Sequence, residues 1–279
     1  MALNLEVIDV PIKSQPFEYG PDQVILYALG IGAGCNDLPF IYEKELKVYP
    51  TFAVVPFLPA LFGRFLKYVN INLNGLLHVG HKIVFHQQIP TSAILESNLC
   101  CKSIWDKKEK GALINIHVET YSENGELLFE NQATVIDKTA GNFGGESGPT
   151  EISLNSLEGK TPDFSILQET SPTQAALYRL SGDKNPLHID RTFAKKVGFN
   201  GPVLHGLCTF GFVCRVILSK LCRNDPQRLK TLSCKFAGPV YPGEKLIHEG
   251  WQMEKDKYVL KTKNQTGKII LDNVEAVIS

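Results

Sequence analysis

Two stretches of this chain, 142 residues apart, carry one pattern. Gly125-Glu-Leu-Leu-Phe-Glu-Asn-Gln-Ala-Thr-Val-Ile136 aligns with Gly267-Lys-Ile-Ile-Leu-Asp-Asn-Val-Glu-Ala-Val-Ile278: Gly, Asn, Val and Ile coincide, three apolar residues meet three apolar residues, and Glu130 meets Asp272. The same register carries Ile116, Val118 and Thr120 onto Tyr258, Leu260 and Thr262, which preserves the alternation of a half-buried strand. A duplicated sheet unit restricts the fold severely. Each copy has one face to bury, and two copies set side by side protect each other's edges.

Around the repeat the periodicity is two, which predicts strands at about 76–88, 93–105, 112–122 and 127–137 in the first half, and at 229–237, 244–254, 257–263 and 268–278 in the second. Turn residues at Asp106–Gly111 and Glu123–Glu126 make the neighbouring strands antiparallel. Helices precede the strands in both halves. Pro21-Asp22 opens one that Gly30, Gly32 and Gly34 stop. The apolar run Phe52–Leu66, broken by Pro56 and Pro59, predicts a kinked or short helix. Further helices are expected at 171–180 and 190–197, and over 205–221, where apolar residues on nearly every face mark a buried helix. Thr139–Asp163 is rich in Gly and Pro and poor in large apolar residues, as a linker would be. The expected fold class is α+β: a unit at 1–138, a linker at 139–163 and a second unit at 164–279, each a helix wrapped by a curved antiparallel sheet.

Charge narrows the function. The 29 basic and 29 acidic residues cancel, giving no argument for a nucleic-acid or membrane-surface partner. No apolar run is long enough for a membrane span, and Met1–Gln15 lacks the order of a signal peptide. Seven cysteines without a Cys-x-x-Cys motif read as free thiols of a reducing compartment, and those at 100, 208, 214, 222 and 234 lie in apolar contexts. His78, His81 and His86 do not suggest a metal site, because strand geometry puts His81 on the opposite face from the other two. No metal is expected.

The chemistry concentrates in Tyr178–Ala194, where Asp183, Asn185 and His188 sit on a segment that Gly182 and Pro186 keep from being a continuous helix. Two readings are open: a helix end in which Asp183 caps backbone amides and His188 packs, or a turn that aims three functional side chains at one point. This stretch resembles the signature of the hydratase 2 family, the (R)-specific enoyl-CoA hydratases related to MaoC. Gly201–Gly211 and Phe236–Gly243 support the resemblance, and Phe40–Glu43 and Leu77-His78 do so more weakly.

The resemblance implies a double hot-dog fold, with a catalytic C-terminal unit. The N-terminal half lacks the Asp-x-Asn-Pro-x-His motif and would shape the acyl pocket, its interrupted run Phe52–Leu66 being displaced or irregular to admit a long or branched tail. The implied reaction is reversible hydration of trans-2-enoyl-CoA to (3R)-3-hydroxyacyl-CoA in fatty acid β-oxidation. Asp183 and His188 would hold the water and share the proton transfers, with base and acid unassigned, while Asn185 orients Asp183 or the water. Gly206, at the start of the buried helix, offers an N–H for the thioester oxygen. Coenzyme A contacts are implied at His78, Val79, Lys107, Lys184, Pro186, Leu187, Gly206 and Phe236, and a supporting role at Glu43. On its own the Lys107, Lys108 and Lys110 tip reads as a solvated hairpin. No cofactor is expected beyond the coenzyme A that carries the substrate, the chain should form a homodimer, and its relatives' compartment is the peroxisome, although this sequence ends Ala-Val-Ile-Ser. The alternatives are a non-catalytic acyl-CoA-binding module and another hot-dog enzyme, a thioesterase or an acyl-carrier-protein dehydratase. The intact Asp183/Asn185/His188 set favours the hydratase, since a binder has no use for a proton-transfer pair.

Overall fold

The computed structural model describes residues 3–72, 75–149, 157 and 159–279. The first half contains β1 (Pro11–Lys13), β2 (Phe17–Tyr19), α1 (Pro21–Gly30), α2 (Leu38–Ile41), α3 (Val54–Ala60), α4 (Leu66–Val69), β3 (Leu76–Phe85), β4 (Ala93–Asp106), β5 (Ala112–Ser122) and β6 (Leu127–Asp137). The second contains β7 (Phe164–Glu169), α5 (Gln174–Tyr178), α6 (Arg191–Lys196), α7 (Gly206–Lys220), β8 (Leu229–Phe236), β9 (Lys245–Glu254), β10 (Lys257–Asn264) and β11 (Ile269–Ile278). All strands belong to one sheet, ordered β1-β4-β5-β6-β3-β8-β11-β10-β9-β7, with β2 also on β4. The seam is β3 against β8, antiparallel from Gly80↔Lys235 to Val84↔Thr231. On either side of it the order is the same, so β6 and β11, the strands of the sequence repeat, hold equivalent places. This is the double hot-dog arrangement, two curved sheets joined by an edge of each.

α7 is the buried helix of the second half: eleven of its fifteen residues are buried, among them Phe210, Phe212, Val213 and Ile217. Its approach to α1 requires glycine, because a Cβ on Gly211 would stand 2.3 Å from Cγ2 of Ile31. The corresponding segment of the first half is irregular. A 3₁₀ turn at Pro50–Ala53 leads into α3, a π-helical turn follows at Leu61–Phe65, and α4 completes the run. Pro59 inside α3 lacks the N–H that would continue the ladder, and a π turn is a known way for a helix to absorb such a break.

Several features depart from the sequence expectations. β1, β2 and β7 were not anticipated; β1 and β2 are three residues each, too short for alternation to register. A bulge at Val79, between the pairs His78↔Val135 and Gly80↔Thr134, breaks the period of β3. His78 and His81 consequently face each other rather than opposite sides, with Nε2 and Nδ1 3.3 Å apart. The glycine-rich stretch also begins as folded structure: the buried Asp106 carboxylate accepts main-chain N–H bonds from Lys108, Asn142 and Gly144, each 2.9 Å, which binds the chain after β6 to the β4–β5 tip. Residues 150–156 and 158 of the expected linker lie outside the described residues. Cys101, not Cys100, is the buried member of the adjacent pair. No helix among the described residues is long and apolar enough to cross a membrane.

Candidate active site

The site is built on the turn that follows α5. A 3₁₀ turn at Arg179–Ser181 extends the helix, and Gly182 then takes a φ of +129°, which an L side chain rarely adopts, to swing the chain across the end of α7. Asp183 Oδ1 accepts the Asn185 N–H at 3.1 Å, and Asn185 Oδ1 in turn accepts the Leu187 N–H at 3.0 Å, capping the short turn Pro186–His188. Asn185 Oδ1 thus serves the cap, and the two N–H donors of its amide are not engaged by it. It is the main-chain N–H of Asn185 that holds Asp183, and Asn185 itself is exposed.

The turn drives His188 inward, to 8% exposure. Its Nδ1–H is donated to the Val203 carbonyl at 2.8 Å, which leaves the lone pair on Nε2. That Nε2 stands 3.9 Å from Asp183 Oδ2. The gap is too long for a direct hydrogen bond and suits one shared water. Burial holds the His188 pKa below its ordinary value, partly offset by the Asp183 carboxylate. The neutral imidazole is therefore the resting form at neutral pH.

The sequence assigns His205 no role, and the fold makes it central. As the N-cap residue of α7 it stacks on His188, with ring centroids 3.6 Å apart and planes at 24°, and it donates Nε2–H to the main-chain oxygen of Asp183 at 3.0 Å. Its Nδ1 is buried without a partner, and burial together with the neighbouring His188 keeps the ring neutral. Tyr178 closes the far side, its ring centroid 4.8 Å from that of His205. The available signal was the placement of a histidine at the exact start of an all-apolar helix. Ligand atoms of Asp183, His188 and His205 fall within 4.8 Å of one another. Of the two stacked rings, His188 Nδ1 and His205 Nε2 are each taken by a main-chain oxygen.

Gly206 is the first residue of α7, and its N–H has no hydrogen-bond partner among the described residues. A Cβ there would come within 3.0 Å of the Phe236 ring, so only glycine leaves that N–H open beneath Phe236. The Phe236 ring contacts His78, centroids 4.9 Å apart. From the N-terminal half α3 reaches the same turn, since a Cβ on Gly182 would lie 3.7 Å from Leu58 Cδ1. Lys184 and Pro186 are exposed and Leu187 is half-buried on the turn itself, and Val79 is the bulge residue of β3. Two expected residues do not join this cluster. Lys107 sits at the β4–β5 tip, its ammonium given to the Ser147 carbonyl and lying over the Trp105 ring. Glu43 is exposed after α2 and makes no hydrogen bond or ion pair with another described residue, so no contact supports the role anticipated for it. A cavity of about 480 Å³ opens beside His188 between Ala176, Ile189, Pro202 and Tyr241, on the side of the turn formed by α5 and the loop after β8 rather than by residues 52–66.

Comparison with known proteins places each half. Residues 17–138 match the protein family described as the MFE-2 hydratase 2 N-terminal domain, and residues 153–274 match the MaoC like domain. The chain is 38% identical over 249 residues to the peroxisomal multifunctional enzyme type 2 of Drosophila melanogaster, covering 85% of this chain and 42% of that one. It therefore spans under half the length of that relative. It is also 38% identical over 267 residues to the peroxisomal enoyl-CoA hydratase 2 of Arabidopsis thaliana, covering 88% of this chain and 86% of the plant protein. Among solved structures, the MaoC-like dehydratase of Phytophthora capsici superposes with a TM-score of 0.88 at 26% identity, over 99% of this chain and 98% of the other.

Proposed function

The chain belongs to the enoyl-CoA hydratase 2 family of MaoC-like proteins, and on that premise we propose that it adds water reversibly to trans-2-enoyl-CoA, giving (3R)-3-hydroxyacyl-CoA in fatty acid β-oxidation. The observation that carries this reading is the 3.9 Å gap between Asp183 Oδ2 and His188 Nε2. Both atoms are acceptors, so a water between them directs both hydrogens inward and leaves its lone pairs free to attack C3. His188 is the first proton acceptor, because Val203 fixes its lone pair on Nε2 and burial keeps it neutral. The proton that completes the addition returns to C2 from the same pair.

The open N–H of Gly206 accounts for the other half of the chemistry. As the thioester oxygen gains enolate character it meets a main-chain donor at the positive end of a fifteen-residue helix, where the partial charge of the helix terminus adds to the hydrogen bond. His78, Val79 and Phe236 would form the wall along which the thioester arm lies, with Lys184, Pro186 and Leu187 on the opposing turn and Lys107 reaching phosphate after leaving Ser147. The N-terminal half would shape the acyl pocket through Leu58 and the irregular helix behind it. The addition is redox-neutral and needs no cofactor beyond the coenzyme A of the substrate. A homodimer in the peroxisome is the proposed setting, the compartment being that of the peroxisomal relatives from Drosophila melanogaster and Arabidopsis thaliana.

The test is to supply purified protein with matched trans-2-enoyl thioesters of coenzyme A and of acyl carrier protein. Hydration of the coenzyme A series supports the proposal. Tight binding of enoyl-CoA without turnover identifies a binding module, turnover confined to the carrier-protein series identifies a carrier-protein dehydratase, and either result overturns it.

A further inference from the structure

Behind the wall formed by His78 and Phe236 lie two buried polar side chains, His81 and Asn131, that the proposed chemistry does not use. Asn131 on β6 is fully buried, and its Nδ2 donates to the Ala53 carbonyl at 3.2 Å. That bond fixes which way the amide faces. Its Oδ1 must then be the atom 2.9 Å from His81 Nε2, so His81 carries its hydrogen on Nε2 and its lone pair on Nδ1. The lone pair faces His78 Nε2 at 3.3 Å, which makes His78 the donor there. Direction is thus set along the entire chain, from a main-chain carbonyl in the N-terminal half to the ring that touches Phe236.

The surroundings hold the relay in place. His81 packs edge-on between Phe57 of α3 and Phe210 of α7, centroids 5.3 and 5.7 Å away, so it bridges the irregular helix of one half and the buried helix of the other. Burial lowers the pKa of His81 to about 4 and that of His78 to about 3, which keeps both rings neutral and the donor order intact. Contact between residues three apart on a strand requires the bulge at Val79. Without it His78 would point to the other face of the sheet, and re-aiming a side chain beside a site is a recurrent use of bulges.

We propose that Asn131 and His81 are positioning residues that fix the orientation and tautomer of His78, and through His78 and Phe236 set the thioester-binding wall above the Gly206 N–H. The proposal rests on the hydratase reading for its substrate. The relay itself is a property of the protein alone.

Two substitutions separate positioning from packing. His81→Phe keeps an aromatic ring between Phe57 and Phe210 but removes both hydrogen bonds. His81→Gln restores them in the same order, its Nε2 donating to Asn131 and its Oε1 accepting from His78. Because the wall contacts the thioester arm equally before and during reaction, His81→Phe should raise KM for enoyl-CoA roughly tenfold, the loss of one hydrogen bond's worth of orientation, with kcat changed much less. His81→Gln should bring KM most of the way back. An unchanged KM in the Phe variant, or a Gln variant no better than Phe, overturns the proposal. Nitrogen chemical shifts of ¹⁵N-histidine in the wild-type protein provide a readout that does not depend on turnover: His81 should be a neutral Nε2–H tautomer at pH 7. An Nδ1–H tautomer or a charged ring would refute the relay even if the hydratase assay succeeds, and a confirmed tautomer would leave it standing if that assay fails.

Discussion

His205 lies flat on His188, ring centroids 3.6 Å apart, while its Nε2–H is held by the main-chain oxygen of Asp183. One side chain at the first turn of α7 thereby touches both members of the proposed water-binding pair.

His205→Ala should therefore lower kcat about 10²-fold, the order of loss that accompanies a displacement of about 1 Å in a catalytic group. His205→Phe retains the stack, loses only the bond to Asp183, and should lose less. Steady-state kinetics with thermal melting as a control distinguishes this from simple unfolding; a near-wild-type kcat in the Ala variant would mean that the stack positions nothing.

Asp183→Asn keeps the turn, since Asn Oδ1 can accept the Asn185 N–H as Asp does and the two residues are nearly equal in such caps. It removes the carboxylate proposed to take part in proton transfer. Turnover should fall by roughly 10²–10⁴-fold with the melting temperature little changed. Retained turnover would return Asp183 to the role of a turn residue.

Acid should unfold the protein earlier than its neutral charge balance suggests. Burial lowers the pKa of His78, His81, His188, His205 and His248 below 6.5, to about 4 for His81 and about 3 for His78 and His248. Between the folded and unfolded values the unfolded chain binds more protons, so stability is complete above about pH 6.5 and is lost as pH falls towards 3–4. Each such histidine contributes a slope of up to about 1.4 kcal/mol per pH unit within its window. Urea midpoints at pH 7, 6 and 5 should decline steadily; a flat profile would show that these rings are not buried neutral.

The contact of α1 with α7 joins the halves at one point. Gly211→Ala would place a methyl 2.3 Å from Ile31 Cγ2 and 2.9 Å from its Cβ, and Ile31 is fully buried. Overpacking of this kind costs about 1–3 kcal/mol, more than the roughly 1 kcal/mol that Ala gains over Gly in a helix. The variant should unfold at lower urea than wild type, and an increase in stability would contradict the close crossing.

Much of the sheet was legible in the sequence. Strands β3 to β6 and β8 to β11 bury one face and expose the other, so alternation marks them, and turn residues such as Asn124-Gly125 mark where they stop. The repeat at Gly125 and Gly267 predicts matching positions for β6 and β11, because strands of one pattern in two copies of a unit take equivalent places in the sheet. What escaped lacks a period. The Val79 bulge changes the face of every residue before it without changing composition, which is why His78 and His81 were assigned to opposite sides. The Asp106 carboxylate folds a glycine-rich stretch by hydrogen bonds to main-chain groups that any sequence has. In the candidate site, Asp183 and His188 stand out by their place on one turn and by the family signature that turn resembles, whereas His205 comes from a helix start 17 residues on, and only the fold brings its ring onto His188. Asn185 adds a local role that the sequence did not show, its Oδ1 capping the short turn Pro186–His188.

The most direct measurement is the configuration of the product formed from trans-2-enoyl-CoA, determined by chiral separation of the 3-hydroxyacyl chain. A water held between Asp183 and His188 above one face of a substrate anchored at Gly206 can reach C3 from that face alone. The account predicts the (3R) product from the wild-type enzyme and its near disappearance with Asp183→Asn. A (3S) or racemic product, or an undiminished (3R) yield from that variant, would contradict it.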